Sequence, residues 1–597
     1  MEISEKIDAL RKRMREENID IYYITSNDFH NSEYVGDFFK CREFISGFDG
    51  SAGSVVISME EAGLWTDGRY FIQAGKQLEK TGITLYKSGM EGVPKIKDYI
   101  ADKILKGQTL GFDGRTVQTS WAEEMSERLL VKDAKINSEL DLVGDIWKDR
   151  PDIKANPVML LDICYAGNTR EDKIARVREY MKKYGANYHI ITSLDDIAWI
   201  LNIRGSDIHC NPVVLSYLII GVEDIILFAH REAFNKEVLN TLVKLGVTFR
   251  EYSDIYNYVK KLLPENMVMF DKNVVNYAIA NSIPSKVKVL DLINPSVLWK
   301  AVKNTIEIEN IKKAHIKDGV VVTKFIYWIK QNVGKVNITE LSAAAKLEEL
   351  RSMTKHYIGP SFDTIAGFGA HGAIVHYSAT KDSDVTIETG NLLLVDTGGH
   401  YLEGTTDITR TIWTGGYASA EQKKFYTAVL RSNLNLCDAH FLHGCSGVSL
   451  DYIARKPLWD MGYDYNHGTG HGVGYLLNVH EAPNAFRFRL LPCPDENAVL
   501  EEGMVTSDEP GVYIEGKFGI RLENLILCVK REKTPYGQFM GFEPLTFVPF
   551  DKELIDINLM DAKERNLLDT YHKKVYENIS PYLEKEEREW LASVCIM

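Results

Sequence analysis

Residues 392–412 read LLLVDTGGHYLEGTTDITRTI and carry two aspartates, Asp396 and Asp407, on two short apolar runs around a polar turn. That pattern predicts a hairpin. Asp396 closes the run Leu392, Leu393, Leu394, Val395, where an unpaired carboxylate would be costly to bury. One reading is ordinary: Asp396 lies exposed at a strand end and Asp407 pairs with Arg410. The other is that two aspartates eleven residues apart on facing strands point into one space and share a cation.

Further candidate ligands lie downstream. HGTGHGVG is a glycine-rich loop holding His467 and His471. VTSDEPG ends a β-like run with Glu509 before a Pro-Gly stop, and GIRLEN places Glu523 at the head of an apolar strand. Asp396, Asp407, His471, Glu509 and Glu523 make four carboxylates and one imidazole. Four negative charges in one pocket raise each other's pKa values unless cations balance them, and two divalent ions would do so. Oxygen-rich ligation with one nitrogen suits manganese, cobalt or iron better than a thiolate-type zinc site. Two such ions can activate a shared water for attack on a carbonyl. Glu509 is the candidate for moving the proton to the leaving nitrogen.

Other residues admit two readings each. His376 follows an apolar run and reads as a hydrogen-bonded structural residue or as part of the site. His467 stands four residues before His471, but Gly468 and Gly470 argue for a loop, from which both rings can reach one cavity. Alternation through LNVHE would make His480 a neighbour of that cavity, with Glu481 structural. Arg521, two residues before Glu523, would share its strand face and brace a ligand carboxylate, or form a surface ion pair. Arg69, in WTDGRYF, reads by itself as a surface ion pair or a functional residue.

The motifs VDTGGHYLEGTTDITRT, HGTGHGVGYLLNVHE and SDEPGVYIEGKFGIRLEN resemble those of the pita-bread metallopeptidases, which include aminopeptidase P, prolidase and methionine aminopeptidase. The nearest pattern is that of the long, three-domain, cytosolic-type Xaa-Pro aminopeptidases, and the resemblance runs over nearly the whole chain. It implies that Asp407 and Glu523 bridge two divalent ions, with manganese expected, while Asp396 holds one ion and His471 with Glu509 the other. It assigns His376, His467 and His480 to substrate binding or stabilisation of the tetrahedral intermediate, Arg521 to support of the ligands, and Arg69 to the substrate site. It implies cleavage of the first bond of peptides with proline second, and a homodimer. The alternatives are a prolidase confined to dipeptides, against which two amino-terminal domains argue, and a metal-free binding module or creatinase-like hydrolase. The metal-free relatives lack ligands that are all present here.

The surrounding chain must position these residues. Its 597 residues suggest three or four domains. A net charge of −14 and the lack of a long basic cluster argue against nucleic-acid or anionic-membrane partners. The charged start does not read as a secretory signal, and Glu223 and Asp224 interrupt the most apolar stretch, 213–228, so no membrane span is expected. Eight scattered cysteines without a C-x-x-C pair point to thiols in the cytoplasm; Cys437 and Cys445, flanking a helix end, offer one conceivable disulfide. Helical spacing over 4–17 followed by a strand at 19–26 recurs at 169–193, with Ile7 and Ile174 both in the helix at an offset of 167. This predicts an α/β (α+β) chain of two related amino-terminal α/β domains, 1–153 and 154–302. A pita-bread catalytic domain follows over 303–545, then a helical extension over 546–597, where Leu568, Tyr571, Val575, Leu583 and Trp590 offer an apolar sprinkle for pairing. Within the third domain a long helix is expected over 306–333.

Overall fold

The computed structural model describes residues 1–490 and 498–596. By compactness the chain forms two units, one of residues 1–162 and 168–296, the other of residues 163–167 and 297–597.

The first unit contains two six-stranded sheets with one topology. The first runs Thr84–Lys87, Ala62–Thr66, Ser54–Ser58, Ile21–Ile24, Thr109–Gly111, Lys135–Asn137. The second runs Val247–Arg250, Ile225–Ala229, Ser216–Gly221, Tyr188–Ile191, Met267–Phe270, Lys288–Asp291. In both, the strand after the opening helix is antiparallel to one neighbour and parallel to the other, and the outer pairs are parallel. The opening helices are Ile3–Glu16, burying Ile7, Leu10 and Met14, and Arg170–Tyr184, burying Ile174, Val177 and Met181. The Thr169 hydroxyl accepts from the Asp172 N–H and caps the second of these. The helix-then-strand repeat in the sequence is thus the visible part of a whole duplicated sheet. The two sheets are joined through buried hydrogen bonds, His30 Nδ1 to Thr192 O at 2.9 Å and Thr119 Oγ1 to Val275 O at 2.7 Å.

The second unit holds the candidate ligand residues. The long helix Thr305–Asn332 starts at a capping box in which Asn304 and Glu307 satisfy each other's backbone N–H groups. Glu340–Ser352 packs beside it. Against these lies a three-stranded sheet of Ile365–Phe368, Leu392–Thr397 and Ile408–Trp413, whose apolar residues join the core of both helices. A six-stranded sheet runs His440–Leu442, Gly537–Pro544, Asn524–Thr534, Val505–Asp508, Gly470–Gly472, Glu481–Phe486. The helices Ala420–Cys437 and Gly447–Trp459 pack on each other and against this half of the unit.

Two expectations change here. Leu568, Tyr571, Val575 and Leu583 are buried in the chain's own core beside Phe425, Leu430 and Ile520, and Trp590 packs against it, so this apolar set is not an open pairing surface. Cys437 and Cys445 are separate thiols. Among the described residues no helix is long and apolar enough to cross a membrane.

Candidate active site

The hairpin forms as expected, with two additional short strands at its tip. Leu392–Thr397 pairs with Ile408–Trp413, and Asp396 faces Thr409 across the ladder. Asp407 sits one residue ahead of Ile408, so both aspartates lie at the same end of the strand pair. On the six-stranded sheet, Asp508 pairs with Asn524, and Glu509 and Glu523 leave that ladder at one end. His471 is the central residue of Gly470–Gly472, the neighbouring strand. A Cβ on Gly470 would overlap the Ser507 carbonyl, which explains the glycine before the ring-bearing residue. The two sheets are tied at this point, because Glu523 N–H donates to Thr409 O at 3.0 Å; within the six-stranded sheet, Glu509 N–H donates to Thr469 O at 2.8 Å.

The side chains converge. Candidate ligand atoms of Asp407, His471 and Glu523 all lie within 4.8 Å of one another. His471 Nε2 is 3.5 Å from Asp407 Oδ2 and 3.4 Å from Glu509 Oε1. Asp407 and Glu523 are buried, at 4% and 1% exposure. Burial, then the charge of Asp396, pushes Asp407 up to about 8. Burial drives Glu523 well above the usual carboxylate range, with Asp407, Glu509 and Asp396 adding to it. Glu509 is raised by burial, against the opposing pull of His471 and Arg521.

Arg521 touches one candidate ligand carboxylate directly and a second through a hydroxyl. Its Nη2 donates to Asp396 Oδ2 at 2.6 Å, and it reaches the Glu523 side through Thr409, whose hydroxyl lies 3.3 Å from Arg521 Nε and donates to Glu523 Oε2 at 2.8 Å. Asp407 does not pair with Arg410. That guanidinium donates to Thr409 O, Glu523 O, Asn524 Oδ1, Val548 O and the Tyr571 hydroxyl.

The three outer histidines are brought to the same region by different routes. His480 packs edge-on against His471, with ring centroids 4.2 Å apart, and lies close enough to Asp407 to oppose the rise of its pKa. His467 donates from Nδ1 to Gly468 O at 2.7 Å, leaving Nε2 to accept from the Tyr513 hydroxyl at 2.9 Å; Tyr513 in turn accepts from Arg521 Nη1 at 2.7 Å. His376 is half-buried in the turn after Gly369–Ala373, and the carbonyl of the preceding Val375 is 3.5 Å from Arg521 Nη1. Glu481 is structural, forming a buried ion pair with Lys303. Arg69 belongs to the other unit, where its Nε and Nη2 each donate to Asp67 at 2.9 Å.

Tyr513, Thr409 and Ser507 were not singled out in the sequence. Ser507 bonds Glu509 Oε1 at 3.1 Å and accepts from His471 N–H at 3.0 Å. Thr409 and Ser507 each stand two residues from a candidate ligand, the spacing that shares a strand face, which was the available signal. Tyr513 gave none.

The donor set fits divalent cations. His471 donates from Nδ1 to Gly472 O at 2.9 Å, so its Nε2 lone pair points among carboxylate oxygens, an arrangement of acceptors that requires a proton or a cation. Among the described residues, Asp396 Oδ1 is buried without a hydrogen-bond partner. Arg521 supplies one positive charge to the four carboxylates, a contribution the sequence-based balance did not include.

Comparison with known proteins agrees with this architecture. Residues 309–530 match the model of metallopeptidase family M24, and residues 538–596 match the C-terminal region of that peptidase. Residues 6–143 and 149–307 each match a creatinase/prolidase N-terminal domain. The chain belongs to metallopeptidase family M24, a family of hydrolases, in its form with two creatinase-type amino-terminal domains. More particularly, it is 38% identical over 607 residues to a probable Xaa-Pro aminopeptidase P of Laccaria bicolor, covering 99% of this chain and 93% of that one. It is 36% identical over 600 residues to Xaa-Pro aminopeptidase 1 of Dictyostelium discoideum, covering 98% and 94%. Its structure superposes on the X-prolyl aminopeptidase of Caenorhabditis elegans, described as a cytosolic enzyme with a di-nuclear active site. There the TM-score is 0.95 and the identity 32%, over 100% of this chain and 99% of that one.

Proposed function

We propose that this protein is a two-metal aminopeptidase that hydrolyses the first bond of peptides whose second residue is proline. The observation that carries the reading is the convergence of Asp407, His471 and Glu523 within 4.8 Å, with Glu509 beside His471. Full-length similarity to Xaa-Pro aminopeptidases supports the substrate class. In this reading Asp396, Asp407, His471, Glu509 and Glu523 would hold the two ions, with manganese the expected metal. When bound, such ions supply a nucleophile at neutral pH and polarise the scissile carbonyl.

The chain's own residues do the rest. Arg521 holds Asp396 in orientation through its 2.6 Å bond, and Thr409 orients Glu523. Glu509, fixed by Ser507, moves a proton toward the leaving nitrogen. His376 and His480 contact substrate near the carbonyl, and His467 lines the substrate side. The leaving nitrogen of an Xaa-Pro bond is tertiary and offers no hydrogen bond, so selectivity must come from these contacts and from the shape of the cleft. Arg69 belongs to the reading through the family resemblance alone; Arg69→Ala should raise KM for longer peptides more than it lowers kcat.

A cytoplasmic location and a homodimer complete the reading; the cytosolic description of the worm protein favours the first. The test of function is metal analysis joined to activity. Purified protein should contain two divalent ions per chain, chelation should abolish turnover, and manganese should restore it. Full activity of verified metal-free protein would overturn the reading.

A further inference from the structure

The ladder between Leu392–Thr397 and Ile408–Trp413 ends at the pair Thr397 and Ile408. Asp396 is the last residue but one of its strand in that ladder and Asp407 lies just beyond it, before pairing resumes with Thr406 N–H donating to Gly399 O at 2.9 Å; residues that share ligands need positions held to within about 0.5 Å. At this junction a buried ion pair from two helices adds side-chain bonds to the backbone pairing. Asp318, on Thr305–Asn332, and Arg351, on Glu340–Ser352, are both fully buried. Arg351 grips Asp318 with two parallel bonds, Nε to Oδ1 at 2.8 Å and Nη2 to Oδ2 at 3.1 Å.

The remaining hydrogen-bonding capacity of this pair is directed at the hairpin. Arg351 Nη1 donates to the Thr397 hydroxyl, which also bonds Thr364 Oγ1 at 2.9 Å. Thr397 is the residue after Asp396. The Thr406 hydroxyl donates to Asp318 Oδ2 at 2.7 Å, and Thr406 is the residue before Asp407. Tyr401, between the two arms, donates to Asp318 Oδ1 at 2.9 Å. One ion pair thus holds the immediate neighbour of each aspartate.

A buried ion pair is a weak source of net stability, because desolvation offsets most of the attraction. Its directional, bidentate geometry makes it a strong source of position. We propose that Asp318 and Arg351, acting through Thr397 and Thr406, are positioning residues that set the separation and orientation of Asp396 and Asp407 for cation binding. This inference rests on the two-ion reading of the site.

The test uses full-length, metal-stripped protein, titrated calorimetrically with manganese, alongside the melting temperature of the metal-free form. Thr397→Val and Thr406→Val remove only hydroxyls and leave the ion pair intact; Arg351→Lys keeps the charge and loses the fork. The double threonine variant should bind manganese about 10- to 100-fold more weakly, the range for residues that orient metal ligands, while its metal-free melting temperature stays within a few degrees of wild type. Arg351→Lys should weaken binding at least as much; if it does not fold, the threonine variants decide. Unchanged affinity in those variants, whether or not the metal-free protein melts lower, would overturn the positioning role and leave the pair merely structural. Wild-type protein that takes up no manganese would instead overturn the two-ion reading, and this inference with it.

Discussion

The Tyr571 hydroxyl lies 2.8 Å from Arg410 Nη2, joining the carboxy-terminal helix Ala562–Ile579 to the strand that follows Asp407. The same guanidinium donates to the Glu523 and Val548 carbonyls and stacks over Phe550, 4.5 Å from its ring centroid. The extension is therefore built into the catalytic unit. Tyr571→Phe removes a buried hydrogen bond to a charged group, which costs about 1.5–3 kcal/mol. The melting temperature should fall, and the two-ion stoichiometry at saturating manganese should persist. A chain ending at residue 545 should not fold, since it loses Leu568, Tyr571, Val575 and Ile579 from one core; soluble, cooperatively melting protein would contradict this.

Arg521 separates capture of cations from catalysis. Removing a positive charge from a carboxylate cluster favours cation uptake, so Arg521→Ala should still bind two ions. Asp396 then loses its 2.6 Å partner, and kcat should fall by roughly 10- to 100-fold. Loss of metal with full turnover per remaining ion would show that Arg521 has another role.

The outer histidines and Glu509 should differ in kind. His376→Ala and His480→Ala should each lower kcat/KM by roughly 10²-fold or more while metal content stays intact, as for loss of an oxyanion-type donor. Glu509→Ala should be more severe, because metal content and proton transfer fail together. A histidine variant that loses its metal would move that residue into the ligand set.

How much of this was legible follows from local spacing. Asp396 stood out because a carboxylate closes an apolar run and Asp407 because it lies on the facing strand, Glu509 because it ends a run before Pro-Gly, and Glu523 because a carboxylate leads an apolar strand. The glycines around His471 correctly excluded a helix. Tyr513 was invisible because it comes from a separate two-stranded ribbon, Gly511–Ile514 with Phe518–Arg521. Asp318 and Arg351 lie 33 residues apart and far upstream of the hairpin, so only the packing of two helices on one sheet brings them to it. The Arg410–Asp407 pair failed because neighbours on a strand point to opposite faces, and residues three apart do likewise. The duplication showed only in its opening helix and strand; the shared sheet order depends on pairings between strands distant in sequence.

Buried histidines predict an acid limb of stability. Burial lowers the pKa of His315 and of His572 to about 4, below the unfolded value of about 6.5. Between those values the unfolded chain binds more protons than the folded one, so stability is fully present above pH about 6.5 and falls as the pH drops toward 4. Each histidine contributes a slope of up to about 1.4 kcal/mol per pH unit. His315 Nδ1 bonds Ile311 O at 2.8 Å while Nε2 is buried without a partner among the described residues, so His315→Gln should reduce the slope of melting temperature against pH in this window. An unchanged slope would place the acid sensitivity elsewhere.

The central claim is that two ions, held by this carboxylate cluster, serve hydrolysis of an Xaa-Pro bond. The most direct measurement is the initial rate of manganese-reconstituted protein on two tripeptides that differ only in proline or alanine at position two. The proline peptide should be cleaved at its first bond, much faster than the alanine peptide, with neither cleaved by the metal-stripped protein. Equal rates on the two peptides would contradict the proline assignment, leaving a general aminopeptidase.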